Sequence, residues 1–253
     1  MRLSQTASRW LIGYGDTMQQ SFTFAGHEST EWDVCITGAN TFQGAMKSVG
    51  KISIPGRNGD LYLTNKKYEN VSLVYPCYIA KNFDENIEGL RNFLGSIDGY
   101  ARLEDTYHPD EYRMAAFSGQ ILPAVQRLRM GTIDITFDCK PQRFLKSGET
   151  AVSCAKNSSI TNPTSYPSKP LTRIYGLGTA YIGSYSIKIN AVPGPGYVDI
   201  DCDSMEAFCG AINCNSNITL SGYDFPELLP GSNGITWTGS ITGILITPRW
   251  WIL

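Results

Sequence analysis

Histidine is nearly missing from this chain: His27 and His108 are the only 2 among 253 residues. There is also no GxSxG elbow, no HExxH helix and no Walker loop, so hydrolytic triads, zinc peptidases and nucleotide hydrolases lack the residue patterns their chemistry requires. Zinc-ribbon spacing is absent too. The 7 cysteines (Cys35, Cys77, Cys139, Cys154, Cys202, Cys209 and Cys214) form no CxxC pair and have no neighbouring histidine, so they do not read as a tetrahedral metal set. Odd in number and widely spaced, they read as reduced thiols serving as small apolar strand residues. A disulfide framework involving Cys202, Cys209 and Cys214 is the alternative. No run of Lys or Arg occurs, and a net charge of −2 with a pI near 5.7 supplies no positive field for a phosphate backbone, which argues against nucleic acid as a partner. Apolar runs are short. The start "MRLSQTASRWLIGYGDTMQQ" has an arginine but no stretch long enough for a signal h-region, and nothing later approaches the ~20 residues of a membrane span. No membrane, cofactor, metal or catalytic residue set is therefore expected.

What is present is β-structure. A chain 42% hydrophobic and 17% charged can bury a full core. "GTIDITFDC" places Ile133, Ile135, Phe137 and Cys139 on one face and Thr132, Asp134, Thr136 and Asp138 on the other, a strand with one wet side. "NVSLVYPCYIA" is β-branched and aromatic, but Pro76 has no N–H and argues for an edge or a bulge. "KISIPGRNGDLYL" reads as two strands around a turn at Pro55, Gly56, Asn58 and Gly59, a projecting hairpin or loop. One helix stands out: in "NFDENIEGLRNFLGS", Asn82 and Glu85 form a capping-box-like start, Ile87, Leu90 and Leu94 share a face, and Gly95 supplies the stop. "GLGTAYIG" has glycines but no following helix, which leaves a phosphate cradle poorly supported.

Most charge lies in the first 150 residues, whereas the rest is rich in Ser, Thr, Asn, Gly and Pro between short apolar runs. The spacing predicts an extension over residues 1–17 (Met18 being an alternative start), a β domain over 18–147, a linker and crossover over 148–170, and a second β domain over 171–253. The fold class expected is mainly β with one short helix.

A polar run, "LGSIDGYARLEDTYHPDEYRMAAFSG", collects Asp98, Arg102, Glu104, Asp105, His108, Asp110, Glu111 and Arg113 with Tyr100, Tyr107 and Tyr112. Two carboxylates flanking a sugar bond make a glycosidase, so Glu104 and Glu111 are candidates for that chemistry. Five carboxylates facing two arginines and a histidine can equally satisfy one another along two strands and a loop, and that structural reading is preferred.

Taken in order, "FTFAGHEST", "IPGRNGDLYL", "RLEDTYHPDEYR", "ITFDCKPQRFLKSGE", "FPELLPGSNGITWTG" and "ITPRWW" resemble the distal tail (Dit) proteins of siphophages and prophages, from about Met18 to Leu253. The resemblance implies a non-catalytic ring subunit, usually hexameric, at the virion tail tip, made and assembled in the cytoplasm of the bacterial host. It further implies an N-terminal ring-forming β domain and a C-terminal galectin-like β-sandwich. Implied partners are copies of itself, the tail tube protein, a tail-associated tip or lysin-type protein, and receptor-binding or baseplate proteins. The candidate ring interface is Ile54, Pro55, Gly56, Arg57, Asn58, Gly59 and Asp60 at the hairpin, with Arg102 and Arg113 in the polar run. Sugar-binding galectins use a tryptophan flanked by histidine, asparagine and arginine. Here residues 171–253 hold no histidine and only Arg173 and Arg249. Trp237 is the candidate for glycan stacking, although its alternation with Ile235 favours a core or subdomain-packing role, and a carbohydrate-binding module is the alternative function.

Overall fold

Alternating sequence becomes alternating burial along the strand Met130–Leu145, where Ile133, Ile135, Phe137 and Cys139 are buried. The computed structural model describes residues 20–38, 43–122, 124–127, 130–222 and 224–253; the extension expected over 1–17, with Met18, lies outside them. The described chain is mainly β, with one α-helix and three short 3-10 turns.

A nine-stranded sheet runs in the order His27–Glu28, Phe22–Phe24, Ala101–Asp105, Glu111–Phe117, Met130–Leu145, Val71–Ile79, Val34–Ile36, with Ala124–Arg127 and Trp251–Ile252 also pairing with Met130–Leu145. Val71–Ile79 is thus flanked on both sides, which corrects the edge expected from Pro76. The ladder with Val34–Ile36 covers only Cys77–Ile79 and leaves Pro76 outside it, where its carbonyl accepts from the Thr37 N–H at 2.8 Å.

Helix Phe83–Ser96 buries Phe83, Ile87, Leu90 and Leu94, the face read from the sequence plus its first residue. Each such side chain contributes about 2 kcal/mol when removed from water. The expected cap does not form. Asn82 takes a left-handed conformation (φ 43°) and makes no side-chain cap bond, while the Asn86 amide donates to the Lys81 carbonyl at 2.9 Å and to Asp33 Oδ2 at 3.2 Å. Gly95 lies inside the helix, which ends at Ser96 with the extended Ile97 as its C-cap. Phe22 stacks on Tyr75 at 5.5 Å, and Phe24 meets Phe137 at 4.9 Å, so aromatic rings fill this core.

Two compact units emerge. One holds residues 72–107 and 116–137 with the described part of the first 42 residues; the other holds residues 43–71, 108–115 and 138–253. In the second unit a six-stranded and a five-stranded antiparallel sheet share one core. Ile174, Val198, Ile200, Ile244 and Ile246 face inward from the first sheet, Ala180, Ile182, Ile187, Ile189 and Ile235 from the second. This is a β-sandwich. "GLGTAYIG" forms the strand Gly178–Ile182 of the five-stranded sheet, and Gly178 (φ 148°) is required because a Cβ there would lie 2.1 Å from the Thr238 carbonyl oxygen.

Residues 148–170, expected as linker, contain the strands Val152–Cys154 and Ser158–Asn162, which pair with Gly243–Thr247 and Gly231–Gly239. The buried Asn162 pins the turn after the second strand: its amide donates to the carbonyls of Tyr166 and Leu228 at 2.9 Å each, and its Oδ1 accepts from the Thr164 N–H and hydroxyl. Short polar-alternating runs punctuated by proline looked like a tether; cross-strand partners distant in sequence make them ladder.

Candidate interaction surfaces

Among the described residues, Lys47–Ile52 and Leu61–Tyr68 pair only with each other, forming a separate two-stranded ribbon. Its tip is the expected turn, with Gly56 at φ 81°, Gly59 at φ 82° and the Arg57 N–H donating to the Ile54 carbonyl at 3.1 Å. Ile54, Pro55, Gly56, Arg57, Asn58, Gly59 and Asp60 are all exposed. The apolar residues behind the tip are exposed as well: Ile52 by 47%, Tyr62 by 57% and Leu63 by 48%. An isolated two-stranded ribbon is at best marginally stable in water, and apolar side chains on it cost free energy until something covers them.

The polar run becomes an antiparallel hairpin, Ala101–Asp105 and Glu111–Phe117. Arg102 pairs with Glu104, Arg143 binds Glu111 at 3.1 Å, and the Tyr75 hydroxyl donates to Asp105 at 2.7 Å. The two glycosidase candidates are each held by a guanidinium, Glu104 by Arg102 and Glu111 by Arg143. Arg113 is buried, with 7% exposure, so its side chain lies inside the subunit, unlike Arg102. His27, in the strand His27–Glu28, is bound to Glu31 at 3.1 Å, whereas His108 lies in the turn between Ala101–Asp105 and Glu111–Phe117. The His27 contact holds the Glu31 carboxyl below its usual range, helped by the Glu28 N–H. Among the described residues, no group of three His, Cys, Asp or Glu could hold a metal ion, and no helix is long and apolar enough to cross a membrane.

Trp237 is 7% exposed and belongs to the sandwich core with Ile235. Strand alternation put both on the inner face, so the ring nominated for glycan stacking is a packing residue. Arg173 and Arg249 are also occupied. Arg173 binds Asp199 through two bonds of 2.6 and 2.7 Å and lies over the Tyr197 ring, and Arg249 binds Asp201 at 2.7 and 2.9 Å.

No known family model and no curated protein matches this sequence. Among solved structures, the crystal structure of SPP1 Dit (gp 19.1), described as a paradigm of hub adsorption apparatus in Gram-positive-infecting phages, matches with a TM-score of 0.74 over 92% of this chain and 99% of its own, at 13% identity. This chain has the Dit fold.

Within the Dit fold, sequence reasoning missed an aromatic row. Phe144 and Trp251 are direct cross-strand partners. Phe144 stacks on Tyr112 at 5.2 Å and Trp251 on Tyr166 at 4.5 Å, and the Trp251 Nε1–H donates to the Pro167 carbonyl at 2.8 Å. All four rings are half-buried. Beside them opens a cleft of about 760 Å³ lined by Met114, Lys140, Gln142, Phe144, Pro167, Lys169, Asp203, Glu227, Arg249 and Trp251. Period-two spacing of Lys140, Gln142 and Phe144 in "FDCKPQRFL" was the available signal. The Tyr166 and Trp251 partners lie far apart along the chain and left none.

Proposed function

We propose that this chain is a structural component of a phage tail tip, a Dit ring subunit that joins the tail tube to the tip or baseplate and to host-recognition proteins. The observation that carries this reading is the ribbon 47–68, whose apolar side chains stand in solvent on a chain with the Dit fold. In the proposed assembly the ribbon lies against a second copy of the chain. A heterologous contact of this kind closes into a ring when its rotation divides a full turn, six copies in a hexamer. The first compact unit, with the ribbon 47–68, is proposed to build the ring, and the two sheets formed by strands between Val152 and Thr247 an outer, galectin-like sandwich. Arg57 and Asn58 at the tip, and Arg102 in the polar hairpin, would make polar contacts; the buried Arg113 would support its own subunit.

Deletion of residues 55–60 with a two-glycine bridge tests the reading. Each ring contact is repeated in every subunit, so a loss of about 1.4 kcal/mol weakens each one tenfold and the effect compounds around the ring. Light scattering at micromolar concentration, with tail partners added if the wild type alone is monomeric, should show a wild-type ring and a folded, monomeric deletion variant. Intact rings from both would remove the ribbon as the clasp. The strand Met130–Leu145 would not replace it through its edges, because neighbouring strands occupy both.

A further inference from the structure

The cleft beside the aromatic row has two properties that the ring reading does not use. Its aromatic floor is rigid. Phe144 and Trp251 face each other across a ladder, each ring is braced by a second ring, and the indole N–H is already committed to the Pro167 carbonyl. Such rings present flat apolar area without losing rotamer entropy on binding. Around them stand an amide (Gln142), carboxylates (Asp203, Glu227) and cations (Lys140, Lys169, Arg249). The charges are largely matched within the site: Arg249 is clamped by Asp201, and Lys169 lies 3.7 Å from Asp203. With Arg249 and Lys169 answered by carboxylates and Glu227 also in the lining, the site has little surplus positive field for a phosphate or sulfate.

We propose that this cleft binds a neutral pyranose unit of an oligosaccharide. A pyranose has one face of C–H groups, which suits a fixed aromatic ring, and a rim of hydroxyls that both donate and accept. Gln142 can answer such a rim in both senses, Glu227 can accept from it and Lys140 can donate to it. The volume, about 760 Å³, falls in the range of small-ligand sites. The site is distinct from the buried Trp237 and needs neither Arg173 nor a histidine.

Saturation-transfer NMR on the full chain, using the methyl glycosides of glucose, galactose, N-acetylglucosamine and N-acetylgalactosamine at millimolar concentration, tests this. Inorganic phosphate serves as a charged probe, followed by tryptophan fluorescence. At least one glycoside should show transfer, and Gln142→Ala combined with Glu227→Ala should weaken it at least about tenfold, the loss of two hydrogen bonds to a ligand. Tyr181→Ala, which removes an exposed ring on the sandwich surface, should leave binding unchanged. A melting temperature near that of the wild type establishes that the double variant is folded; a variant that unfolds is replaced by Gln142→Glu with Glu227→Gln, for which the same loss is expected. Transfer from none of the four glycosides, transfer unaffected in the folded variant, or a response to phosphate alone would overturn the proposal. The outcome is independent of whether the chain forms rings.

Discussion

Asp201 is held by two bonds from Arg249 and by the N–H groups of Asp203 and Ser204. Arg249 is the main reason its carboxyl lies below the usual range, with the backbone donors adding to the effect against burial. A carboxyl depressed on folding contributes stability that is present above its unfolded value, near 3.8, and is lost as pH falls through the folded one. Asp201→Asn should therefore lower stability by about 1–2 kcal/mol at neutral pH, seen as an earlier urea midpoint, and the gap to wild type should narrow on acidification below about pH 4. An unchanged gap would mean that the pair adds nothing electrostatic. Arg249 adopts φ 55°, a conformation unusual for a side chain of its size, in the turn between the strands Gly243–Thr247 and Trp251–Ile252. The thiols agree with the reduced reading of the sequence: all seven are buried and none is in a disulfide, and burial, then Asp201, pushes Cys202 up to about 12, which leaves almost no reactive thiolate there near neutral pH.

The helix Phe83–Ser96 shows what one element owes to pattern and what to partners. A Cβ on Gly131 would lie 2.2 Å from the Phe83 ring, so the strand passes the helix at a distance only glycine permits. Gly131→Ala should cost about 1–3 kcal/mol and lower the melting temperature by roughly 3–9 °C. Gly95→Ala, where a Cβ meets nothing within 4 Å, should be neutral or stabilising by about 0.5–1 kcal/mol. Similar losses from both would discount the steric account. The buried face of this helix was legible because Ile87, Leu90 and Leu94 recur at helical spacing. Its start was not, since Asn82 has the right side chain for a cap but a left-handed backbone, and Asn86 takes the nearby carbonyl instead. The ribbon was legible for a similar local reason: glycines mark its tip, and its strands need no third partner. The strands within residues 148–170 were not, because Ser158–Asn162 finds its partner at Gly231–Gly239.

For the whole molecule, the Dit fold persists at 13% identity to SPP1 Dit. Sheet order and inward-facing apolar positions survive sequence divergence far better than individual side chains. Among the sequence fragments that carried the resemblance, "YHPDEYR", "FDCKPQRFL" and "PRWW" place Tyr112, Phe144 and Trp251 in one aromatic row. That convergence could not be read along the chain, since its members meet only through strand pairing. The ribbon has a thermal consequence. An interface made from Ile52, Leu61, Tyr62 and Leu63, all exposed in the single subunit, would be driven mainly by release of water from apolar surface, a force that weakens on cooling. Rings closed through it should be firmest when warm and should shed subunits on ice, reversibly, in light scattering across that interval. Rings that tighten in the cold would point to a contact dominated by hydrogen bonds and ion pairs. Chilling a purified preparation would then dismantle the very assembly being sought, and rewarming would restore it without any change of solvent.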